Sequence, residues 1–499
     1  MRSWLPPGHL AWQVIEVTGQ LDLSGFAAAY RADGQGQAPY DPAMMTALLL
    51  YCYFKGIRSS RKIAAACIDD VGCLVICGGA RPSHQAAATF IRRHRVAIKG
   101  LFVQVLTLLA AEGAVAGQLA AVDGSPVSGN ASRFANLDGE QLADRIAAVQ
   151  AAVQAEVEAW LDGAAGAAQQ PLRDDQGDGD GDPPPGGGSG GGVPRRLAAL
   201  AARLARLQAA EGTLTGRQAP RGRAAARIAA AEAAAGAAAR RLAAAEAAQA
   251  AKVEKYQAAV AARTPWRYGK VPVPADQNKK VAVLRQGAHR AAARLAAARA
   301  AAAGAAVKVS PADPDSRLVP AKNGGGWLQG WNLQLTAARR QVLLAAELHD
   351  NPADAGALTA MITTALANCE LAGLAGQIRA WLADSGYASA ATFTELDHLM
   401  LLVAVRNEAA QAGRGDGRRT VPPGWEKMAA RLATPAGKKL YARRAALVEP
   451  AFAQFFARFG RYVNYRGRDA VDTEIKLLAT VHNLAKLLDY RRRHPALAT

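Results

Sequence analysis

Three carboxylates stand where an α/β chain could use them for chemistry. Asp123 closes the apolar run 119–124 (LAAVDG), whose length and Gly124 stop predict a buried strand. Asp384 follows QIRAWLA (377–383) in the sequence LADSGY, and Glu449 lies near the start of a helix expected over 443–459, in ALVEPAFAQFF. Acids at the carboxyl ends of neighbouring strands, joined by one from a helix, can converge on a single point. Three carboxylates there would repel one another unless divalent cations neutralised them. Hard oxygen ligands suit Mg²⁺ or Mn²⁺, and two such ions activate a water and stabilise the leaving oxygen in phosphodiester cleavage. Each acid taken singly has a plainer explanation. An Asp before Gly is commonly turn chemistry, Asp384 could be a helix cap, and an acid at a helix start favours the dipole. Their order along an α/β pattern is what joins them.

The elements that would carry them follow from periodicity. Strands are expected at 119–124, 327–335, 341–348, 377–383 and 399–405, giving an α/β fold with a five-stranded sheet. Helices are expected at 354–374, 443–459 and 470–489. Residues 1–118 read as an all-helical N-terminal domain. Its apolar stretch Pro42–Tyr53 is followed by Lys55, Arg58, Arg61 and Lys62, and its later segment Thr89–Lys99 carries Arg92, Arg93, His94 and Arg95. Such basic faces suit DNA contact, dimerisation or plain solvation. Residues 119–134 would begin the α/β domain and 320–499 complete it. Between them, 135–319 is an Ala-rich helical insertion: 195–250 holds ten Arg against three Glu and no Asp, and Ala and Arg are strong helix formers. Gly236, Gly287 and Gly304 weaken it locally, and 173–194 (RDDQGDGDGDPPPGGGSGGGVP) has the composition of a flexible linker. Asp178, Asp180 and Asp182 resemble the start of a calcium loop, but the bidentate Glu is missing and Pro183 interrupts the spacing.

The chain has 499 residues, enough for several cores, and its 60 Lys and Arg against 41 Asp and Glu leave a formal charge of +19. Such an excess favours a polyanionic partner, nucleic acid first, with an anionic membrane surface as the other class. Mean hydropathy is −0.03, and no uncharged apolar run of about 18 residues occurs, which argues against a polytopic membrane protein. The start MRSWLPPGHL has no basic stretch leading into an apolar core, so a cytoplasmic protein without a secretory signal is expected. Cys52, Cys67, Cys73, Cys77 and Cys369 are odd in number and set in apolar surroundings. They read as buried, reduced thiols, since no C-x-x-C pair or paired His accompanies them.

Several separated motifs then point one way. LPPGHLAW, QLDLS, YDPAMMTALLLY and GIRSSRKI lie in the N-terminal part. AVDGSPVSGNAS surrounds Asp123, and ADPDSRL (312–318) and GWNLQ (330–334) follow. LADSGY holds Asp384, Tyr441 to Arg444 precede VEPAF with Glu449, and TVHNLAKLL (480–488) comes near the end. In this order they resemble the insertion-sequence DDE transposases of bacteria, in the group with a Y-R-E-K signature. The resemblance implies an RNase H-like catalytic fold split by the helical insertion. It implies Asp123, Asp384 and Glu449 as catalytic residues and ligands of two Mg²⁺ or Mn²⁺ ions, cleavage at transposon ends, and strand transfer into target DNA. It further implies double-stranded DNA as partner, a homodimer or higher synaptic assembly, a nucleoid-associated location, and Tyr441 and Arg444 on the DNA backbone or end nucleotides near Glu449. The arginines Arg443, Arg458, Arg461, Arg92, Arg93 and Arg95 are further candidates for phosphate contact, as are Arg466 and Arg468: six Arg between 443 and 468 face one acid, Glu449. One position departs from the group. Seven residues after Glu449, where relatives carry Lys, stands Phe456; Arg458 is near in sequence but points elsewhere on a helix. Two alternatives share the acids or the DNA: a metal-dependent nuclease that does not join strands, and a catalytically decayed copy that only binds DNA.

Overall fold

The computed structural model describes residues 2–30, 39–115, 119–168, 194–218, 223–303, 307–322, 325–405 and 424–495. They divide into two compact units, residues 1–135 with 312–499, and residues 136–311.

The first unit opens with helices α1 (Leu10–Thr18), α2 (Ser24–Ala27), α3 (Pro42–Phe54), α4 (Ser60–Asp69), α5 (Val71–Ile76), α6 (His84–Arg93) and α7 (Arg95–Ala111). α3 forms where the sequence is apolar all round. Asp41 caps it by accepting from Met44 N at 2.8 Å, Pro42 occupies its first turn, and Met45 to Tyr53 are buried throughout. A helix buried on every face is the centre of its layer.

The sheet begins with β1 (Leu119–Ser128). The helices α8 (Gly139–Ala168), α9 (Arg195–Gln218), α10 (Arg223–Ala261) and α11 (Lys279–Ala303) of the second unit intervene before it resumes. There follow β2 (Arg317–Pro320), β3 (Trp327–Ala338), β4 (Leu343–His349), α12 (Ala357–Leu371), β5 (Ala380–Ala383), α13 (Ala390–Glu395) and β6 (Leu401–Val403). Last come α14 (Trp425–Ala433), α15 (Pro435–Tyr441), α16 (Arg444–Phe459) and α17 (Arg468–Arg493). The strand order is β2-β3-β1-β5-β6, with β4 also paired to β3. β1 runs antiparallel to β3, with Asp123 opposite Leu335, and parallel to β5, with Ala121 opposite Leu382. β4 is antiparallel to β3 and so runs in the same direction as β1, β5 and β6. The sheet has six strands among the described residues where five were expected. The addition is β2, four residues ending in Pro320 that pair with the first residues of β3. A strand this short shows no alternation, and Pro is tolerated at its edge.

α16 packs on β1 and β3, and α17 packs on β4, α7 and α3, so the last helix joins the helical part to the sheet. The polar pair in TVHNLAKLL explains how. Leu343 N donates to Asn483 Oδ1 at 2.9 Å, and Asn483 Nδ2 donates to Leu343 O at 2.9 Å. His482 Nε2 donates to Gln341 O at 2.8 Å. These bonds hold the β3–β4 turn, where Arg340 and Gln341 take φ of 61° and 59°, a left-handed conformation that residues with a Cβ rarely adopt.

His482 also makes the fold sensitive to acid. Burial pushes its imidazole down to about 4 from an ordinary 6.5. The folded state therefore holds the neutral ring: its stabilising contribution is complete above pH 6.5 and is lost as pH falls toward 4. The gap corresponds to about 3 kcal/mol at the acid end. His482→Gln should flatten the dependence of the urea midpoint on pH across this window. An unchanged slope would show that His482 titrates normally.

The second unit is helical. α8 and α9 share a core of Leu142, Ile146, Val149, Leu207, Ala210 and Leu214. α10 and α11 pair lengthwise, clamped by Arg285–Glu246 at 2.6 Å and Arg299–Glu232 at 2.7 Å. All but the last residue of 173–194, including Asp178, Asp180 and Asp182, lies outside the described residues. All five cysteines are buried and none forms a disulfide, as their apolar settings suggest. Among the described residues no single helix is long and apolar enough to cross a membrane.

Candidate active site

Asp123 sits within β1 with its side chain 17% exposed. Its Oδ1 accepts from Gly124 N at 2.9 Å, and its Oδ2 is 3.6 Å from Arg444 Nη1. Asp384 follows the last residue of β5, where its Oδ1 accepts from Gly386 N at 2.8 Å and caps a short turn over Ser385–Tyr387. The parallel register of β1 and β5, continued by two residues, sets Asp123 level with Asp384. Burial pushes the Asp123 carboxyl above its ordinary value, and Asp384 adds to the shift. The Gly124 N–H, Arg444 and Lys322 act against it.

A third aspartate, which the sequence reading missed, stands beside this pair. Asp354, in the connection from β4 to α12, accepts on Oδ1 from Gln334 Nε2 at 2.7 Å and from Asn332 Nδ2 at 3.1 Å. The Tyr387 hydroxyl donates to Gln334 Oε1. Burial, then Asp354, Asp123 and Asp384 in turn, all raise the Tyr387 pKa, so this hydroxyl faces three carboxylates. A Cβ on Gly124 would collide with the Asp354 carboxylate and the Gln334 amide, which is why β1 carries glycine directly after Asp123. The signal exists only once the direction of β4 is known. β4 runs the same way as β1 and β5, so acids after its end belong to the same edge of the sheet, and applying the strand-end rule to β4 points to Asp350 and Asp354.

The helical candidates separate on the structure. Tyr441 is half-buried; burial raises its hydroxyl pKa, Arg444 lowers it and Asp384 raises it, which places both Tyr441 and Arg444 beside the aspartates. Arg443 turns away and lines a separate cavity of about 620 Å³ with Arg339, Arg340 and Gln341, beside Leu119 at the opposite end of β1. Glu449 is exposed on α16. Among the described residues no three Asp, Glu, His or Cys side chains gather closely enough to hold a metal ion together. Asp123 and Asp384, with Asp354 beside them, are hard oxygen donors, and the burial that disfavours the Asp123 charge is what a divalent cation would relieve.

Phe456 is 8% exposed and packs into the core. Over its ring, 4.1 Å from the centroid, lies the guanidinium of Arg461. Arg461 Nη1 donates to Ser125 Oγ at 3.1 Å, and Ser125 shares the Asp123 face of β1. Arg461 is held by its backbone as well, since its carbonyl accepts from Ser128 N at 2.9 Å. Arg458 serves elsewhere: it lies 4.3 Å over the Phe54 ring and donates to the Phe54 carbonyl at 3.1 Å, at the end of α3. Arg95 pairs with Asp469 at 2.6 Å, Arg93 stacks 5.1 Å over Tyr30, and Arg92 donates to Thr89 at 3.4 Å. Arg466 donates to Asn130 O at 2.6 Å, and Arg468 pairs with Asp350. Of the predicted contacts, Tyr441, Arg444 and Arg461 are therefore gathered near the aspartates.

Comparison with known families falls on both ends of this unit. Residues 1–93 match the transposase domain DUF772, and residues 420–488 match a transposase DDE domain. The second match contains Tyr441, Arg444 and Glu449. Neither a curated protein nor a solved structure matches the chain. With one transposase domain opening the unit that bears Asp123 and Asp384, and a DDE domain closing it, the two matches support an insertion-sequence DDE transposase.

Proposed function

We propose that this transposase cuts DNA at the ends of its element and joins the freed 3′-hydroxyl to target DNA, using Asp123, Asp384 and Glu449. The observation that carries the reading is the pairing of Asp123 and Asp384 at one edge of the sheet, with Arg444 and Tyr441 beside them. A β1 flanked by an antiparallel β3 on one side and a parallel β5 on the other supports an RNase H-like core. Asp123 and Asp384, with Glu449 as the third carboxylate, would hold two Mg²⁺ or Mn²⁺ ions, which when bound activate water and stabilise the leaving oxygen. Arg444 orients Asp123 and, with Tyr441, receives the phosphate backbone at the aspartate pair. Arg461 adds a cation over Phe456 on the same face of β1, so the missing lysine leaves the site with positive charge and favours an active enzyme over a decayed copy. Synapsis of two DNA ends by a dimer or larger assembly belongs to the same reading.

The test is incubation of the protein with a labelled duplex carrying the element's own terminus, with Mg²⁺ or Mn²⁺, and resolution of the products on a denaturing gel. Cutting at the terminus with joined products is expected. Cutting without joining would assign a nuclease, and binding that weakens steeply with salt but never cuts would assign a DNA-binding copy.

A further inference from the structure

The connection between α10 and α11 is far longer than a helical hairpin needs. It runs over residues 262–278 (ARTPWRYGKVPVPADQN), and loops of this length in compact folds are usually functional. It is ordered by specific contacts. Gln249 Nε2 on α10 donates to Val273 O at 2.6 Å, and Asn278 Oδ1 accepts from Lys280 N at 2.9 Å to start α11. Tyr256 on α10 meets Trp266 edge-on with ring centroids 5.4 Å apart, and Trp266 meets Tyr268 at 5.1 Å.

Between the loop and α10 lies a cavity of about 430 Å³, lined by Lys252, Lys255, Lys270, Trp266, Tyr268 and Asn278. Three features set it apart from a braced turn. Tyr268 is 82% exposed, so its ring is offered to a ligand and does little to hold the loop. Trp266 Nε1 is buried without a hydrogen-bond partner, a donor awaiting an acceptor. Among the described residues none of the three lysines has an ion-pair partner. An exposed tyrosine ring, one buried N–H donor and three ammonium groups around a cavity of nucleotide size match a base, its acceptor oxygens and flanking phosphates.

We propose that this cavity binds an unpaired nucleotide of a DNA strand, with the base stacked on Tyr268, the Trp266 N–H donating to one of its acceptors, and the phosphates on Lys252, Lys255 and Lys270. The proposal takes from the transposase assignment only that the polyanion is DNA, and it does not use the carboxylates.

The full-length protein should be titrated in EDTA with two fluorescent duplexes of equal length, one fully paired and one with a short unpaired stretch at one end. Wild type should prefer the partly unpaired duplex by about tenfold, the magnitude of one stacked base. Tyr268→Ala should abolish that preference while leaving affinity for the paired duplex within twofold. Trp266→Phe, which keeps the ring packing and removes only the N–H, should weaken it severalfold. The triple variant Lys252→Gln, Lys255→Gln, Lys270→Gln should reduce the salt slope for the unpaired substrate by about 2. Melting curves matching wild type confirm that the variants fold. Equal affinity of wild type for both duplexes, or a preference that survives Tyr268→Ala, overturns the proposal. Because metal is absent, a preference seen in a protein that never cuts leaves this site standing while the cleavage reading fails, and the reverse result separates them equally.

Discussion

Asp123→Asn and Asp384→Asn should each reduce end cleavage by at least about a thousandfold while leaving DNA binding intact or slightly tighter. Outer-sphere partners of metal sites typically cost about 10–100-fold when removed, and a direct oxygen ligand should cost more. Asparagine keeps the shape of each side chain, so the Gly124 and Gly386 N–H groups that bond to Asp123 and Asp384 retain an acceptor oxygen and the turn after β5 is preserved. What changes is charge. Losing a negative carboxylate beside the incoming phosphates removes repulsion, which is why affinity should rise. Asp354→Asn should cost less than either, because Asp354 acts through Gln334, Asn332 and the close approach to Gly124. Glu449→Gln tests the third carboxylate in the same assay. Cleavage surviving Asp123→Asn within tenfold would remove the aspartate pair from the chemistry.

The largest effect on stability is expected at Arg58. Among the basic residues after the apolar helix it reads in sequence as a surface charge for DNA, yet it is 3% exposed. Its guanidinium donates to the Phe459 carbonyl and, at 2.8 Å, to the Tyr462 carbonyl. It lies 4.4 Å over the Tyr462 ring and 3.2 Å from Glu474. Glu474 is equally enclosed and accepts from Asn464 N at 2.8 Å. Burial raises the Glu474 pKa, and Arg58 is the largest influence drawing it back. Removing one member of a buried pair strands the other, so Arg58→Ala should cost about 3–5 kcal/mol. Replacing both, as Arg58→Met with Glu474→Gln, should recover part of the loss, since the glutamine carbonyl oxygen can still accept from Asn464. Chemical denaturation of the three proteins measures this; a loss below about 1 kcal/mol for Arg58→Ala would mean the pair is not a structural anchor. The segment it holds, 459–465, carries Arg461 to Ser125, so a milder variant that still folds should also lose cleavage.

By itself the sequence determined the local elements and the first acids. Apolar runs marked β1 and β5, and with them Asp123 and Asp384, although β1 runs on through Gly124 to Ser128 where a stop was expected. The 3.6-residue pattern placed α12, α16 and α17 within a few residues of their observed ends. Alanine and arginine made the second unit helical. These features are legible because periodicity, caps and turn chemistry act between residues close in the chain. Tertiary structure decided what depends on pairing between distant segments. It added β2, too short to alternate, and it set the direction of β4 and so brought Asp354 to the aspartates. It divided the arginines by partner: Arg444 and Arg461 beside Asp123 and Ser125, Arg458 on Phe54, Arg95 on Asp469, Arg58 inside the core on Glu474. A guanidinium has the same spelling whether it meets a phosphate, a carbonyl or a carboxylate. Only the fold, which brings Arg58 to Glu474 across more than four hundred residues of chain, selects among them.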